Sequence, residues 1–262
     1  MRGRLSCRPD ADRARIRRTI STPNPRTMST TTTPARPVAL VTGASRGIGR
    51  AIARRLAEKY AIIAVARSAK HLQTLAAEIA REGGECRTVP LDITDPGAVQ
   101  HALGAQRVDV LVNNAGVGYL KPLLETTPDE WREMVDVNFN ALYHVTRAVL
   151  RGMIERRNGF IVNIASLASR NTFAGGSCYA ATKHAMLAFG ECLMLEVRQN
   201  GVRVATIMPG SVATDFRPPG RDTTWMLSCE DVANAVWYVV TQPDAALSSR
   251  VELRPAIPKA GG

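Results

Sequence analysis

The chain has no long apolar run, no closely spaced pair of cysteines and no cluster of histidines. Its longest apolar run, residues 60–66, is far too short to cross a bilayer, so we expect no membrane-spanning helix. The five cysteines are odd in number and widely spaced, which favours neither a disulfide framework nor a zinc site. These absences predict a reduced, soluble protein of the cytoplasm that holds no metal.

Positive charge is concentrated at the N-terminus. Residues 1–27 contain eight arginines and two aspartates, a net charge of +6, whereas the rest of the chain carries only +5 of the total of +11. The segment lacks the apolar core of a signal peptide, and Met28 resembles a second, natural start. We therefore expect residues 1–36 to be a disordered basic and polar extension, with 1–27 a candidate start-site artefact. A transit peptide and a nucleic-acid-binding arm are the alternatives; we expect no nucleic-acid partner.

Short apolar runs alternate with helical patterns from Pro37 onward. The runs are rich in Val, Ile and Ala and apolar on both faces, which is typical of parallel strands covered by helices on both sides. Strands are predicted at residues 38–42, 61–66, 86–92, 108–113, 159–165, 202–208 and, as an edge strand, 250–253. The pattern predicts an α/β fold, a doubly wound parallel sheet of the Rossmann type, in one domain over residues 37–262. Ligands of such folds bind beyond the carboxyl ends of the strands.

Helical patterns fill the spaces between most of these strands, with apolar residues at helical spacing and recognisable start signals. One helix begins at Pro128, a favoured first-turn residue, and another follows a capping box of Ser228 and Asp231. Helices are predicted from the first glycine-rich turn to about residue 59, over 69–82, over 128–156, over 179–199 and after 228.

A glycine-rich turn, Thr-Gly-Ala-Ser-Arg-Gly-Ile-Gly at residues 42–49, follows the first strand and opens the first helix. Glycines there allow a tight turn, and the backbone N–H groups of a helix N-terminus favour a pyrophosphate. The position after the first strand makes this turn a stronger indication of dinucleotide binding than a glycine-rich turn alone.

Polar residues also follow the later strands. Asn-Asn-Ala-Gly at 113–116 closes the fourth strand, Ser166 follows the fifth, and Pro209-Gly210 follows the sixth. Asn138 lies inside the predicted long helix, where asparagine is mildly unfavourable, so a local purpose is expected.

Tyr179 and Lys183 stand four residues apart on a predicted helix and are separated only by small side chains. Residues at this spacing lie on one face of a helix, with Cβ atoms about 6 Å apart. A free tyrosine, with a pKa of about 10, is too weakly acidic to serve as a base near neutral pH, and a neighbouring cation lowers that pKa. The spacing alone is compatible with an activated phenol and equally with a surface pair that has no chemical task, and the other motifs must decide between them.

Together these motifs resemble those of the short-chain dehydrogenase/reductases, specifically the compact, single-domain, ketoreductase-like branch. The resemblance covers roughly residues 37–256. It implies that Tyr179 is the general acid/base, that Ser166 holds the substrate carbonyl and that Asn138 belongs to a water relay. Lys183 is implied to bind the nicotinamide ribose and to lower the pKa of Tyr179.

The resemblance also implies an oxidoreductase that moves a hydride between NADP(H) and a carbonyl or secondary-alcohol substrate. The residues implied to bind the cofactor are spread along the strand ends. They are Gly43, Ser45, Arg46, Gly47, Ile48, Gly49, Arg67, Asp92, Ile93, Asn113, Ala115, Gly116, Tyr179, Lys183, Pro209, Gly210, Val212 and Thr214.

The end of the second strand predicts NADP(H) rather than NAD(H). NAD-binding folds place an acidic residue there to accept the ribose hydroxyls, and this acid would repel a 2′-phosphate. Here Ala66 takes that place, Arg67 follows it, and Arg46 lies in the glycine-rich turn. Two guanidinium groups are well suited to grip a phosphate.

Two alternatives compete with this function: a catalytically silent dinucleotide sensor, which would not need Ser166, Tyr179 and Lys183 together, and an isomerase or dehydratase of the extended branch. Only about fifty residues follow Pro209-Gly210, too few for the larger substrate domain of that branch. The segment between Thr214 and Ser228, which contains Pro218-Pro219-Gly220, is short and predicts a small lid over the substrate, and the physiological substrate is not identified. The helix over 179–199 is apolar nearly all round, which predicts a homodimer or homotetramer.

Overall fold

The computed structural model describes residues 36–214, 216 and 222–257. The predictions made for residues 1–35, and for residues 215 and 217–221 of the lid between Thr214 and Ser228, lie outside this part of the chain.

The described chain builds one parallel sheet of seven strands in the order β3-β2-β1-β4-β5-β6-β7. The strands are β1 (Val38–Thr42), β2 (Ala61–Ala66), β3 (Cys86–Pro90), β4 (Val110–Asn113), β5 (Gly159–Ile164), β6 (Val202–Pro209) and β7 (Arg250–Leu253). All seven predicted strands are present, and the doubly wound fold is confirmed. The third strand is shorter than predicted because its neighbour ends at Ala66, which pairs with Pro90.

Seven α-helices cover the sheet in the described residues. They are α1 (Gly47–Leu56), α2 (Ala69–Arg81), α3 (Pro96–Leu103), α4 (Pro128–Val135), α5 (Ala141–Glu155), α6 (Ser177–Val197) and α7 (Cys229–Val240). One apolar cluster packs α1, α2 and α7 against one face of the sheet, and a second packs α3, α5 and α6 against the other. No helix among these residues is both long and apolar enough to span a membrane.

The helix α3 was not predicted, although its sequence carries start signals. The Asp95 side chain accepts hydrogen bonds from the N–H groups of Gly97 and Ala98, and Pro96 occupies the first turn. Both features favour a helix N-terminus. Only two of its residues, Val99 and Leu103, are buried, so its apolar periodicity is weak.

The predicted long helix over 128–156 contains an irregularity at its centre. Between α4 and α5 the chain forms a π-helical turn at Asp136–Asn140, and Asn138 is fully buried within it. Such turns are uncommon and are frequently found at functional sites. Asn138 thus lies in an irregular turn and not in a regular helix, which agrees with the expectation that it has a local purpose.

Candidate active site

A cavity of about 1290 Å³ runs along the carboxyl ends of the strands. It is lined by all of the residues selected from the sequence except Asn113 and Asn138. The lining residues are Gly43, Ser45, Arg46, Gly47, Ile48, Gly49, Arg67, Asp92, Ile93, Ala115, Gly116, Ser166, Tyr179, Lys183, Pro209, Gly210, Val212 and Thr214. The cavity is larger than the 300–1,000 Å³ typical of drug-sized ligands. The same cavity is therefore lined both by the glycine-rich turn and by the Tyr179/Lys183 pair.

The glycine-rich turn forms a cradle that side chains would fill. Gly43 and Gly47 adopt positive φ angles of 67° and 53°, which favour glycine. A Cβ on Gly49 would come within 2.3 Å of the backbone oxygen of Gly43. The N-cap residue of α1, Arg46, makes no capping hydrogen bond with its side chain. The cradle and the helix N-terminus fit the pyrophosphate of a dinucleotide.

The ends of β1 and β4 are joined by Thr42 and Asn114. The Thr42 hydroxyl accepts hydrogen bonds from the N–H groups of Asn114 (3.0 Å) and Ala115 (3.1 Å). The Asn114 side-chain amide donates to the Thr42 carbonyl oxygen at 3.0 Å. These bonds hold the glycine-rich turn against the strand that carries Ala115 and Gly116.

Asn113 does not contribute its side chain to the cavity, contrary to the selection made from the sequence. Its amide nitrogen donates to Thr146 Oγ1 and Asn163 Oδ1, both at 3.0 Å, in a buried network on the α5 and α6 side of the sheet. Successive strand residues point to opposite faces. It is therefore Asn114, not selected from the sequence, that lines the cavity. The alternation of side chains along the strand is the signal in the sequence that could have distinguished Asn114 from Asn113.

Lys183 is buried beside Tyr179. Its side chain is 5% exposed, and its Nζ donates a hydrogen bond to the Ile164 carbonyl oxygen at 3.2 Å. The ammonium lies 5.8 Å from the centroid of the Tyr179 ring. Burial lowers the pKa of Lys183 to about 8, because loss of water disfavours the charged form. The predicted pair thus shares one face of α6 at the cavity.

Ser166 and Asn138 flank this pair differently. Ser166 lines the cavity, and its Oγ accepts a hydrogen bond from the Ala168 N–H at 3.1 Å. Asn138 lies behind the cavity wall. Its Oδ1 accepts a hydrogen bond from the Val117 N–H at 2.8 Å, and its Nδ2 donates one to the Val117 carbonyl oxygen at 2.9 Å. A Cβ on Gly116 would stand 3.2 Å from Asn138 Oδ1 and 3.6 Å from Lys183 Nζ. Asn138 Oδ1 and Lys183 Nζ therefore both lie close to Gly116.

One end of the cavity is basic. Arg46, Arg67 and His71 line it, and we call these three residues the basic end. The pKa of the neighbouring Asp92 is lowered, chiefly by hydrogen bonds from Thr94 and less by the Arg67 charge. His71 was not selected from the sequence. It lies near the start of α2, and only the folded structure shows that this part of the helix borders the cavity.

The other end is apolar and includes several aromatic rings. Leu120, Phe173, Phe216 and Trp225 line it beyond Tyr179, and we call these four residues the aromatic end. The Phe216 ring lies 5.7 Å from the Tyr179 ring, centroid to centroid. Phe216 and Trp225 lie in the segment predicted as the lid, whereas no sequence motif marked Leu120 and Phe173, which come from two other loops that only the fold brings together.

Comparison with known proteins defines the class. The family model described as short chain dehydrogenase matches residues 37–225. The chain is 37% identical over 237 residues to the NADP-dependent 3-hydroxy acid dehydrogenase YdfG of Salmonella typhi, an alignment that covers 83% of this chain and 94% of that protein. The chain therefore belongs to the short-chain dehydrogenase family, as the motifs indicated.

Solved structures agree with this assignment. A metagenomic short-chain oxidoreductase in complex with NADP superposes with a TM-score of 0.76 at 36% identity, covering 86% of this chain and 99% of the other. The closed form of a serine dehydrogenase complexed with NADP⁺ superposes with a TM-score of 0.79 at 34% identity, covering 86% and 97%.

Proposed function

We propose that the protein is an oxidoreductase that transfers a hydride between NADP(H) and a carbonyl or secondary-alcohol substrate, with Tyr179 as the general acid/base. The observation that carries this proposal is the Tyr179/Lys183 pair, which opens onto the same cavity as Ser166 and the glycine-rich turn. A silent dinucleotide sensor would have no use for these three side chains in one place.

The cofactor is NADP(H). Relatives of this chain carry NADP in their names or were crystallised with it. The basic end supports the same assignment, because Arg46 and Arg67 flank the end of β2, where no acidic residue stands. Charge-assisted bonds from guanidinium groups suit the 2′-phosphate that distinguishes this cofactor.

Each side chain of the pair has a distinct task. When bound, the nicotinamide supplies or accepts the hydride. Tyr179 donates a proton to the carbonyl oxygen in reduction and accepts it in oxidation. The Lys183 ammonium, held against the Ile164 carbonyl oxygen, favours the ionised phenol that the oxidative direction requires. Ser166 donates a hydrogen bond to the substrate oxygen.

Asn138 supports this arrangement from behind. Its Nδ2 donates to Thr182 Oγ1 at 3.0 Å, so the π-helical turn is tied to the helix that carries Tyr179 and Lys183. Its Oδ1 accepts a hydrogen bond from the Val117 N–H at 2.8 Å, beside Gly116. We assign Asn138 to the water relay that returns protons to this pair.

Replacing Tyr179 tests the proposal. Tyr179→Phe keeps the ring and removes the ionisable hydroxyl, so kcat should fall at least 100-fold, the usual scale of general acid–base catalysis. NADPH binding, followed by its fluorescence, should persist. Near-normal turnover in this variant would contradict the role of Tyr179.

Self-association belongs to the same proposal. On α6, Leu195 is exposed although the helix is largely apolar, and Trp131 and Tyr143 are exposed on α4 and α5. A second copy covering these residues would form a homodimer or homotetramer. Light scattering at micromolar concentration measures the mass, and a strictly monomeric protein would contradict this assembly.

A further inference from the structure

The aromatic end of the cavity is richer in rings than the proposed reaction requires. Aromatic residues make up only 5% of the chain: five Phe, three Trp and five Tyr. Four of these thirteen, Phe173, Tyr179, Phe216 and Trp225, line this one cavity. Only Tyr179 has a part in the proton transfer, so the other three rings call for a separate explanation.

Two of these rings are unusually exposed for phenylalanine. Phe173 is 45% and Phe216 42% exposed, and the neighbouring Leu120 is 44% exposed. Exposed apolar groups that cluster in a concave surface mark places where a ligand or partner binds and covers them. Here the cluster is continuous with Tyr179 and Ser166, so the molecule best placed to cover it is the substrate.

Both phenylalanine rings rest on glycines beside the catalytic helix. A Cβ on Gly118 would lie 2.3 Å from Phe216 Cζ and 2.9 Å from Tyr179 Cδ2. A Cβ on Gly176, the N-cap residue of α6, would lie 2.5 Å from Phe173 Cζ. The two glycines therefore make room for two rings that approach the first turn of α6.

The charges near this wall do not favour an acid. Arg254 lines the cavity, and its guanidinium is paired with the Glu252 carboxylate at 2.8 Å. Glu252 also contacts Arg170 at 3.4 Å. A carboxylate on the substrate would have to compete with Glu252 for Arg254, whereas an apolar group finds uncovered ring faces.

From these contacts we propose that the substrate carries an aryl group next to its carbonyl or carbinol carbon, and that Phe173 and Phe216 bind this group. The inference rests on the proposed oxidoreductase reaction and adds the substrate class. It differs from the 3-hydroxy acid in the name of the YdfG relative. An aromatic ring packs well against the edge or face of another ring.

A matched pair of esters tests the substrate class in the unmodified protein. Ethyl 3-oxo-3-phenylpropanoate and ethyl 3-oxobutanoate differ only in phenyl against methyl at the reacting carbonyl. We expect kcat/KM with NADPH to favour the phenyl ester by about ten-fold or more, the scale set by burial of one ring. Equal values, or a preference for the methyl ester, would overturn the inference and leave the reaction standing. If neither ester is reduced with NADPH and 3-hydroxybutanoate, a secondary alcohol, is not oxidised with NADP⁺, both the inference and the proposed reaction are overturned.

Variants then assign the selectivity to the rings. Phe216→Ala and Phe173→Ala should each lower the phenyl-to-methyl ratio by about ten-fold. The control is Tyr238→Ala, which removes a 60% exposed ring on α7, outside the cavity, and should leave the ratio and the activity unchanged. An unchanged ratio in both phenylalanine variants would show that the rings serve another surface, such as contact with a second copy, and would overturn the inference.

Discussion

The two ends of the cavity are built from different parts of the chain. At the glycine-rich turn, a Cβ on Gly49 would strike the backbone oxygen of Gly43 and the Asn114 side-chain amide, which is itself held by the Thr42 carbonyl oxygen. At the aromatic end, the atoms that a Cβ on Gly118 would strike belong to the side chains of Phe216 and Tyr179. A site shaped by backbone atoms tolerates few substitutions, whereas a site lined by side chains can change its shape through a substitution at a single position. The first end therefore suits a cofactor shared across a family, and the second suits a substrate that differs between members.

The largest expected effect is a reversal of cofactor preference at the basic end. If Arg46 and Arg67 each make charged hydrogen bonds to the 2′-phosphate, worth about 1.5–3 kcal/mol apiece, NADPH should be preferred over NADH at least 100-fold. Ala66→Asp combined with Arg67→Ala should place an acid where the ribose hydroxyls lie and reverse that preference. The measurement is kcat/KM with each cofactor.

The control for this experiment is Arg81→Ala, which removes an arginine from the far end of α2. It should leave the cofactor ratio unchanged. Equal kcat/KM values for NADPH and NADH in the unmodified protein would contradict the phosphate site at Arg46 and Arg67, while the assignment of Tyr179 would stand.

A pair of glycine variants contrasts the two ends directly. Gly49→Ala should destabilise the fold by about 3 kcal/mol or more and weaken NADPH binding, because the backbone of Gly43 cannot move aside. Gly118→Ala should cost less than Gly49→Ala, because the atoms in its way belong to the side chains of Phe216, which is half-exposed and can swing away, and Tyr179. It should alter the selectivity between the two esters and, by shifting Tyr179, also lower kcat. Denaturant unfolding measures the first effect and kinetics the second. Equal destabilisation by both variants would remove the contrast.

The sequence predicted the sheet and the cofactor end well, because both depend on local signals. Fully apolar strands between helices specify a parallel sheet, and glycines at fixed spacing specify the turn at 42–49. Asn113 was selected from the sequence and not Asn114 because the two-residue period of the strand, which separates the two side chains onto opposite faces, was not applied. The aromatic end was predicted only in part: Phe216 lies in the segment predicted as the lid, but no pattern marked its ring or Phe173, because both lie in loops without periodicity that only the tertiary fold brings to Tyr179.

The smallest expected effect concerns the cost of keeping Lys183 buried between the two ends. Burial lowers its pKa from 10.5 to about 8 in the folded protein. The unfolded chain therefore binds more protons between these two values, so the penalty is fully present below about pH 8 and disappears as the pH rises towards 10.5. A difference of this size corresponds to about 3 kcal/mol, at about 1.4 kcal/mol for each pKa unit.

Lys183→Met should therefore stabilise the protein near neutral pH while abolishing turnover. The methionine removes the buried charge but leaves the Ile164 carbonyl oxygen without its donor, a loss of about 1 kcal/mol. The net gain should be about 2 kcal/mol at pH 7, and the two proteins should be about equally stable at pH 10, where Lys183 is largely neutral in the folded state. Denaturant unfolding at both pH values measures this difference. Lys70→Met, on the exposed surface of α2, should show no comparable pH dependence. A wild-type protein more stable than Lys183→Met at pH 7 would mean that the ammonium is stabilised by its site, and that Lys183 is a structural as well as a catalytic residue.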